Sequence, residues 1–455
     1  MTPLEYLEKN KDNSLGQLKD LIRIASVSAS SANKDDMKKC ADWLADYFKT
    51  LGLKSEIMAT GGHPVVYAEY IKHQDKPTIL IYGHYDVQPP DPLDLWESPP
   101  FEPVEENGYI VARGATDDKG QLFTHVKGVE SYLKTLGELP LNVKFLIEGE
   151  EEVQSENLPT FIEKHKDKLK ANIVVVSDGS QYGIDMPAIN YGLRGIAFVE
   201  VKVTGPNRDL HSGSYGGTVD NPVHVLCRMI AALHDSKGKV AIEGFYDNTY
   251  TITPWEKEQL ALLPFDAEEF RKSVGVPQFW GDKDFSILER LGMRPTLDIN
   301  GITGGYQGEG AKTIIPSWAS AKITMRLVPN MNPQEICDKI ESYLQKLCPP
   351  TATLEVIKHG GGNPVQVSTE GPWLEAAGKA IEKVFGKKPF FTKEGGSIPI
   401  VETFKSVLGL DTLLIGFGQH DDNAHSPNER FLIKDFHRGC QTSAALIEKL
   451  SQVKA

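Results

Sequence analysis

The sequence predicts an α/β domain interrupted by a smaller inserted α+β domain, and three observations carry that expectation. Short apolar runs recur at 78–82, 141–147, 173–176 and 412–415, three of them without clean alternation, as in strands buried on both faces of a parallel or mixed sheet. A helical pattern with Leu122, Val126, Val129 and Leu133 on one face lies between the first two runs, which makes a strand–helix–strand alternation. From about Gly195 the texture changes, and residues 196–204 alternate strictly, as a half-exposed strand does.

Along the chain, helical patterns are expected near 13–25 and 33–51, the second stopped by Leu51-Gly52. The α/β runs follow. In the altered region, helices are expected near 221–235 and 332–347, the latter opened by Asn332-Pro333 in cap and first-turn positions. Strands at 318–328 and 352–358 flank that second helix, enough for a small antiparallel sheet with helices on one face. The tryptophan- and proline-rich stretch 250–300 has weak periodicity and reads as loop and short helix. The α/β texture resumes near 375 and ends in a helix at 433–450. The expected domains are therefore 1–195 together with 376–455, and an insertion at 196–375.

Composition bounds the function. With 455 residues, 40% hydrophobic and 24% charged, the chain is an ordinary globular protein of more than one domain. Lysine and arginine total 49 against 62 acidic residues, a formal net charge of -13, which argues against a nucleic-acid or anionic-membrane partner. No run approaches the roughly 18 apolar residues of a membrane span. The first residues lack the basic-then-apolar pattern of a secretory signal. Cys40, Cys227, Cys337, Cys348 and Cys440 are scattered and form no CxxC pair, so they read as thiols in a reducing compartment, most simply the cytoplasm.

The chemistry gathers where the apolar runs stop. The first run leads into Gly83-His84-Tyr85-Asp86, the second into Gly149-Glu150-Glu151-Glu152, the third into Ser177-Asp178-Gly179, and the last into a loop reaching His425. The helix after the first run opens on Arg113-Gly114-Ala115-Thr116-Asp117-Asp118. In open α/β sheets, sites form outside the carboxyl ends of strands, so these five segments should converge. Each has a bland alternative: His84 a structural histidine, Asp117 a helix cap, the glutamate run a solvated face, Asp178 a turn residue, His425 a residue of a polar loop. Taken together they bring two histidines and several carboxylates to one sheet edge without a thiolate, a donor set that suits zinc, manganese or a similar divalent ion. A single catalytic metal needs three protein ligands. The surplus fits two metals sharing a carboxylate and activating a common water.

The segments Tyr-Gly-His84-Tyr-Asp86-Val-Gln-Pro, Arg-Gly-Ala-Thr-Asp117-Asp-Lys-Gly, Glu-Gly-Glu-Glu151-Glu152, Ser-Asp178 and Asn-Ala-His425-Ser resemble the M20 family of metallopeptidases, in its cytosolic non-specific dipeptidase or carnosinase-like branch. The resemblance runs over nearly the whole chain. It implies a mixed-sheet catalytic domain of the zinc-peptidase type with an inserted lid and dimerisation domain. It further implies two divalent ions per subunit, zinc or alternatively manganese, held by His84, Asp117, Glu152, Asp178 and His425, with Asp117 bridging. Glu151 matches the general acid/base, with a slip to Glu150 and Glu151 as the alternative register. Asp86 lies two residues after His84, on the same side of an extended backbone, and suits a carboxylate that orients the imidazole. A cis peptide between Asp117 and Asp118 is implied as well.

In the insertion, His211 matches a histidine that reaches the neighbouring subunit of a homodimer and stabilises the oxyanion. Arg326 matches the residue that holds the substrate's terminal carboxylate. Thr313 and Ser397 match hydrogen-bonding positions, and Gly395 and Gly396 would let backbone approach the ligand. The implied activity is hydrolysis of dipeptides by metal-activated water. The alternative is an amidohydrolase of the same family acting on N-acyl amino acids, a deacetylase or desuccinylase. A non-catalytic relative would lack ligands or base, and here every such position is filled.

Overall fold

The computed structural model describes residues 1–395, 398 and 400–454. The chain divides into two compact units: Met1–Tyr191 with Val367–Thr392 and Ile400–Ala455, and Gly192–Gln366 with Lys393–Pro399.

In the first unit, four parallel strands stand side by side in the order Asn142–Glu148, Thr78–His84, Ile173–Val176, Thr412–Leu414. Antiparallel strands flank them, Val65–Tyr70 and then Lys54–Met58 on one side and Ala188–Leu193 on the other. The parallel strands are buried almost throughout, which is why three of them do not alternate; Asn142–Glu148 buries Asn142, Lys144 and Glu148 among its apolar residues. Their carboxyl ends are in step, because His84 pairs with Glu148, and Val176 with both Tyr82 and Leu414. The helix Lys119–Thr135 follows the sheet's first parallel strand and is buried over most of its length, packed against the final helix Ile433–Leu450. A Cβ at Gly128 would lie 2.3 Å from Ser443 Oγ, so that close approach requires glycine. The chain opens with the α-helices Pro3–Lys9, Lys11–Ile22 and Lys34–Thr50.

The second unit is built on a four-stranded antiparallel sheet, ordered Thr296–Gly304, Trp318–Leu327, Gly195–Thr204, Thr353–Gly362. Strand Gly195–Thr204 alternates buried and half-buried, with Val199, Val201 and Val203 facing the helices Pro222–Ala231 and Pro333–Leu347. Asn332 caps the latter by accepting the N–H groups of Gln334 at 2.9 Å and Glu335 at 3.1 Å, with Pro333 in the first turn. The 250–300 stretch corrects the expectation of loop and short helix alone. It holds three short helices, Pro254–Leu262, Ala267–Ser273 and Ile287–Gly292, opened by side-chain caps at Thr253, Asp266 and Ser286, and it also begins the edge strand Thr296–Gly304. That strand hides from a period-two reading because its register shifts between Ile299 and Gly301.

All five cysteines are free. Among the described residues, no helix is long and apolar enough to cross a membrane.

Candidate metal centre

His84 is the last residue of its strand, and its imidazole is completely buried. Nδ1 lies 3.1 Å from the backbone carbonyl of Asp86 and 3.4 Å from Asp86 Oδ1. Nε2 faces Asp117 Oδ1 at 3.1 Å and Asp178 Oδ2 at 3.8 Å, yet no hydrogen bond of proper geometry satisfies it. Asp117 turns its other oxygen, Oδ2, to His425 Nε2 at 2.9 Å, and Glu152 Oε2 stands 3.3 Å from the same nitrogen. Two clusters of metal-ligand type result, His84–Asp117–Asp178 and Asp117–Glu152–His425, each with its donor atoms within 4.8 Å of one another and with Asp117 in both.

Local backbone explains the placement. Asp117 does not cap the following helix. The residue at the cap is Asp118, which makes no side-chain cap bond and instead accepts the His84 N–H on Oδ2 at 3.2 Å. The 117–118 peptide is cis. Asp178 comes two residues after the strand Ile173–Val176, and Glu151 and Glu152 open a 3-10 turn that begins three residues after the strand Asn142–Glu148. His425 reaches the cluster from a loop with a left-handed backbone, φ 62°, and its side chain is exposed.

The three glutamates after Gly149 separate by their partners. Glu150 is buried and bound by Asn157 Nδ2 at 3.0 and 3.2 Å. Glu152 is held by Gln88 Nε2 at 2.8 Å and stands in the second cluster. Glu151 is half-buried and near enough to feel the charges of His84, Asp178, Asp117 and Glu152. Asp86 accepts the backbone N–H of Glu151 at 3.3 Å on one oxygen and that of Glu152 at 3.1 Å on the other.

Proton affinities follow from this crowding. Burial disfavours charge on His84, but the carboxylates of Asp117 and Asp86 override it and hold the imidazole well above its ordinary range. Asp117, and then Glu152, raise His425 to about 10. Burial would lift Asp117, yet His425 and His84 keep it well below the carboxylate range. Glu151 goes the other way: burial, reinforced by Asp178, Asp117 and Glu152, raises it far above the usual value against the pull of His84.

A divalent ion suits these residues. The unsatisfied buried Nε2 of His84 points among carboxylates, and the donors are imidazole and carboxylate oxygen only.

His211, Thr313, Arg326 and Gly395 belong to the second unit. His211 and Thr313 are exposed neighbours, since the Ser212 N–H donates to the Thr313 carbonyl at 3.0 Å and His211 pairs with Ile314. Arg326 is half-buried on its strand opposite Thr296, and burial lowers its proton affinity while Asp298 opposes that shift. A Cβ on Gly395 would lie 2.7 Å from a terminal nitrogen of Arg194, a second guanidinium that the sequence reading passed over. Gly396 and Ser397 lie outside the described residues. Also passed over were Gln88 and the buried Arg113–Glu429 pair, joined at 2.8 Å. Gln88 sits within the His84 motif, so its place beside the ligand candidates was the one signal available.

Residues 80–449 match the profile of peptidase family M20/M25/M40. The chain belongs to that family. It is therefore an enzyme of the hydrolase class. It is 33% identical to the Cys-Gly metallodipeptidase dug1 of Schizosaccharomyces pombe, over 99% of this chain and 98% of that protein. Human carnosine dipeptidase 1 matches it with a TM-score of 0.88 at 31% identity, covering 99% of this chain and 98% of the human one. The M20 family metallo-carboxypeptidase Sso-CP2 of Sulfolobus solfataricus matches with a TM-score of 0.87 at 36% identity, over 97% and 99% of the two chains.

Proposed function

We propose that this chain is a metallo-dipeptidase with a dinuclear centre and Glu151 as its general acid/base. The observation that carries the reading is the shared carboxylate: Asp117 offers Oδ1 to the His84 side and Oδ2 to the His425 side. His84, Asp117 and Asp178 would hold one ion, and Asp117, Glu152 and His425 the other. Zinc fits this donor set, with manganese as the alternative. Such a pair supplies Lewis acidity toward a carbonyl oxygen and makes a nearby water acidic.

Glu151 is suited to the proton work. Placed next to Glu152 and outside both ligand groups, it would accept a proton from the attacking water and later deliver it to the leaving amine nitrogen. Asp86 orients His84 and fixes the backbone from which Glu151 and Glu152 project. In the second unit, Arg326 would anchor the terminal carboxylate of the substrate, with Thr313, Gly395, Gly396 and Ser397 as further contacts. His211 would act on the carbonyl oxygen in the partner subunit of a homodimer, its exposed side chain supporting that role. The insertion then serves as lid and dimerisation domain. The free thiols support a cytoplasmic location.

The deciding experiment is an activity screen of the metal-reconstituted enzyme against dipeptides and N-acyl amino acids. Release of free amino acids from unblocked dipeptides is expected. Turnover confined to acylated substrates would replace the dipeptidase with a deacylase.

A further inference from the structure

Glu429 lies four residues beyond His425, immediately before the strand Arg430–Leu432, which pairs antiparallel with Tyr109–Val111. Its carbonyl accepts the Ala112 N–H at 2.9 Å, continuing that pairing. The side chain is fully buried. One carboxylate oxygen accepts the N–H groups of Thr116 at 2.9 Å and Asp117 at 3.1 Å. The other accepts Arg113 Nη1 at 2.8 Å and the Gly114 N–H at 3.0 Å. Four donors from residues 113–117 thus converge on one anion, which is how a carboxylate is tolerated where water is excluded.

A second tie joins the same two loops, since Asp422 Oδ2 accepts Thr116 Oγ1 at 3.1 Å and the Gln419 N–H at 2.7 Å. The loop bearing Asp117 and the loop bearing His425 are therefore clamped to each other through Glu429. His84 and Asp178 differ in kind, because His84 ends a strand in the buried core of the parallel sheet and Asp178 comes two residues after another.

We propose that Glu429 is a positioning residue that sets the spacing between Asp117 and His425, and so governs the ion of the Asp117–Glu152–His425 cluster more than that of His84–Asp117–Asp178. The inference rests on the dinuclear reading above. It concerns ion binding, so it can be read without turnover.

The test titrates the metal-depleted full-length protein with Co2+, following heat and visible absorption, in wild type, His425→Ala, Glu429→Gln and Glu429→Asp. His425→Ala identifies which of two binding steps belongs to its cluster. Glu429→Gln removes the counter-charge of buried Arg113, so Glu429→Asp is made beside it to keep the charge and withdraw it by one methylene. Both are expected to weaken the step that His425→Ala removes by about 10-fold or more and to leave the other step near its wild-type value. Two steps in wild type, with both weakened equally or neither weakened in the Glu429 variants, would overturn this inference alone. A single step in wild type would overturn the dinuclear reading and this inference with it.

Discussion

The backbone N–H of Glu152 donates to Asp86 Oδ2 at 3.1 Å, so the carboxylate beside His84 also holds the turn that carries the glutamates. Asp86 is completely buried and takes the Glu151 N–H on its other oxygen. Replacing it with alanine loosens both the imidazole and the two glutamates. Asp86→Ala is expected to weaken divalent-ion binding by roughly 10- to 100-fold, with kcat falling in parallel even at saturating metal. Calorimetric titration together with kcat measured at high metal would check this. Full recovery of kcat on adding metal would restrict Asp86 to the histidine alone.

Glu151 offers the sharpest separation of binding from chemistry. It stands beside the clusters but outside both ligand groups. Glu151→Gln should lower kcat by about 10² to 10⁴-fold, the usual worth of a positioned proton carrier, while metal content by elemental analysis stays at the wild-type value. Loss of metal in step with activity would mark Glu151 as a ligand instead.

What could be seen in the sequence follows the physics of each element. Three of the parallel strands announce themselves because burial on both faces favours near-continuous apolar runs, and the candidates at the strand ends follow from where such strands stop. His84, Asp117, Glu152, Asp178 and His425 do gather in space. The supporting residues were hidden for a different reason. Glu429 is 316 positions from Arg113, and nothing local in Pro-Asn-Glu-Arg distinguishes a buried anion from a solvated one. Strand Thr296–Gly304 was lost to its register shift, and the short helices before it depend on caps more than on an apolar face. Strand Val65–Tyr70 is buried at five of its six residues, yet its brevity gives little periodicity to read.

Arg326 tests the polarity of substrate binding. A guanidinium facing a carboxylate makes charge-assisted hydrogen bonds worth about 1.5–3 kcal/mol, so Arg326→Ala should raise KM roughly 10- to 100-fold for dipeptides with a free terminal carboxylate. The same dipeptides with an amidated carboxyl terminus should show little change between wild type and variant. Equal effects on the two series would assign Arg326 to the sheet rather than to the substrate.

His125 gives a pH dependence of stability whose sign can be worked out. It lies completely buried on the helix Lys119–Thr135, with Nε2 at 2.8 Å from Ser177 Oγ and Nδ1 at 3.1 Å from Ser443 Oγ. Burial pushes its proton affinity down to about 4. In the unfolded chain it titrates near the ordinary 6.5. The folded state therefore binds fewer protons between those values. Its contribution is fully present above pH 6.5 and is lost as the pH falls through 4. The loss approaches about 3 kcal/mol, at about 1.4 kcal/mol per pH unit. Urea unfolding of the metal-depleted protein at several pH values, compared with His125→Gln, isolates the effect. The variant should show a shallower fall in stability from pH 6.5 to 4, by up to one proton's worth of slope. Parallel curves would mean that His125 binds its proton equally well in the folded and unfolded chains.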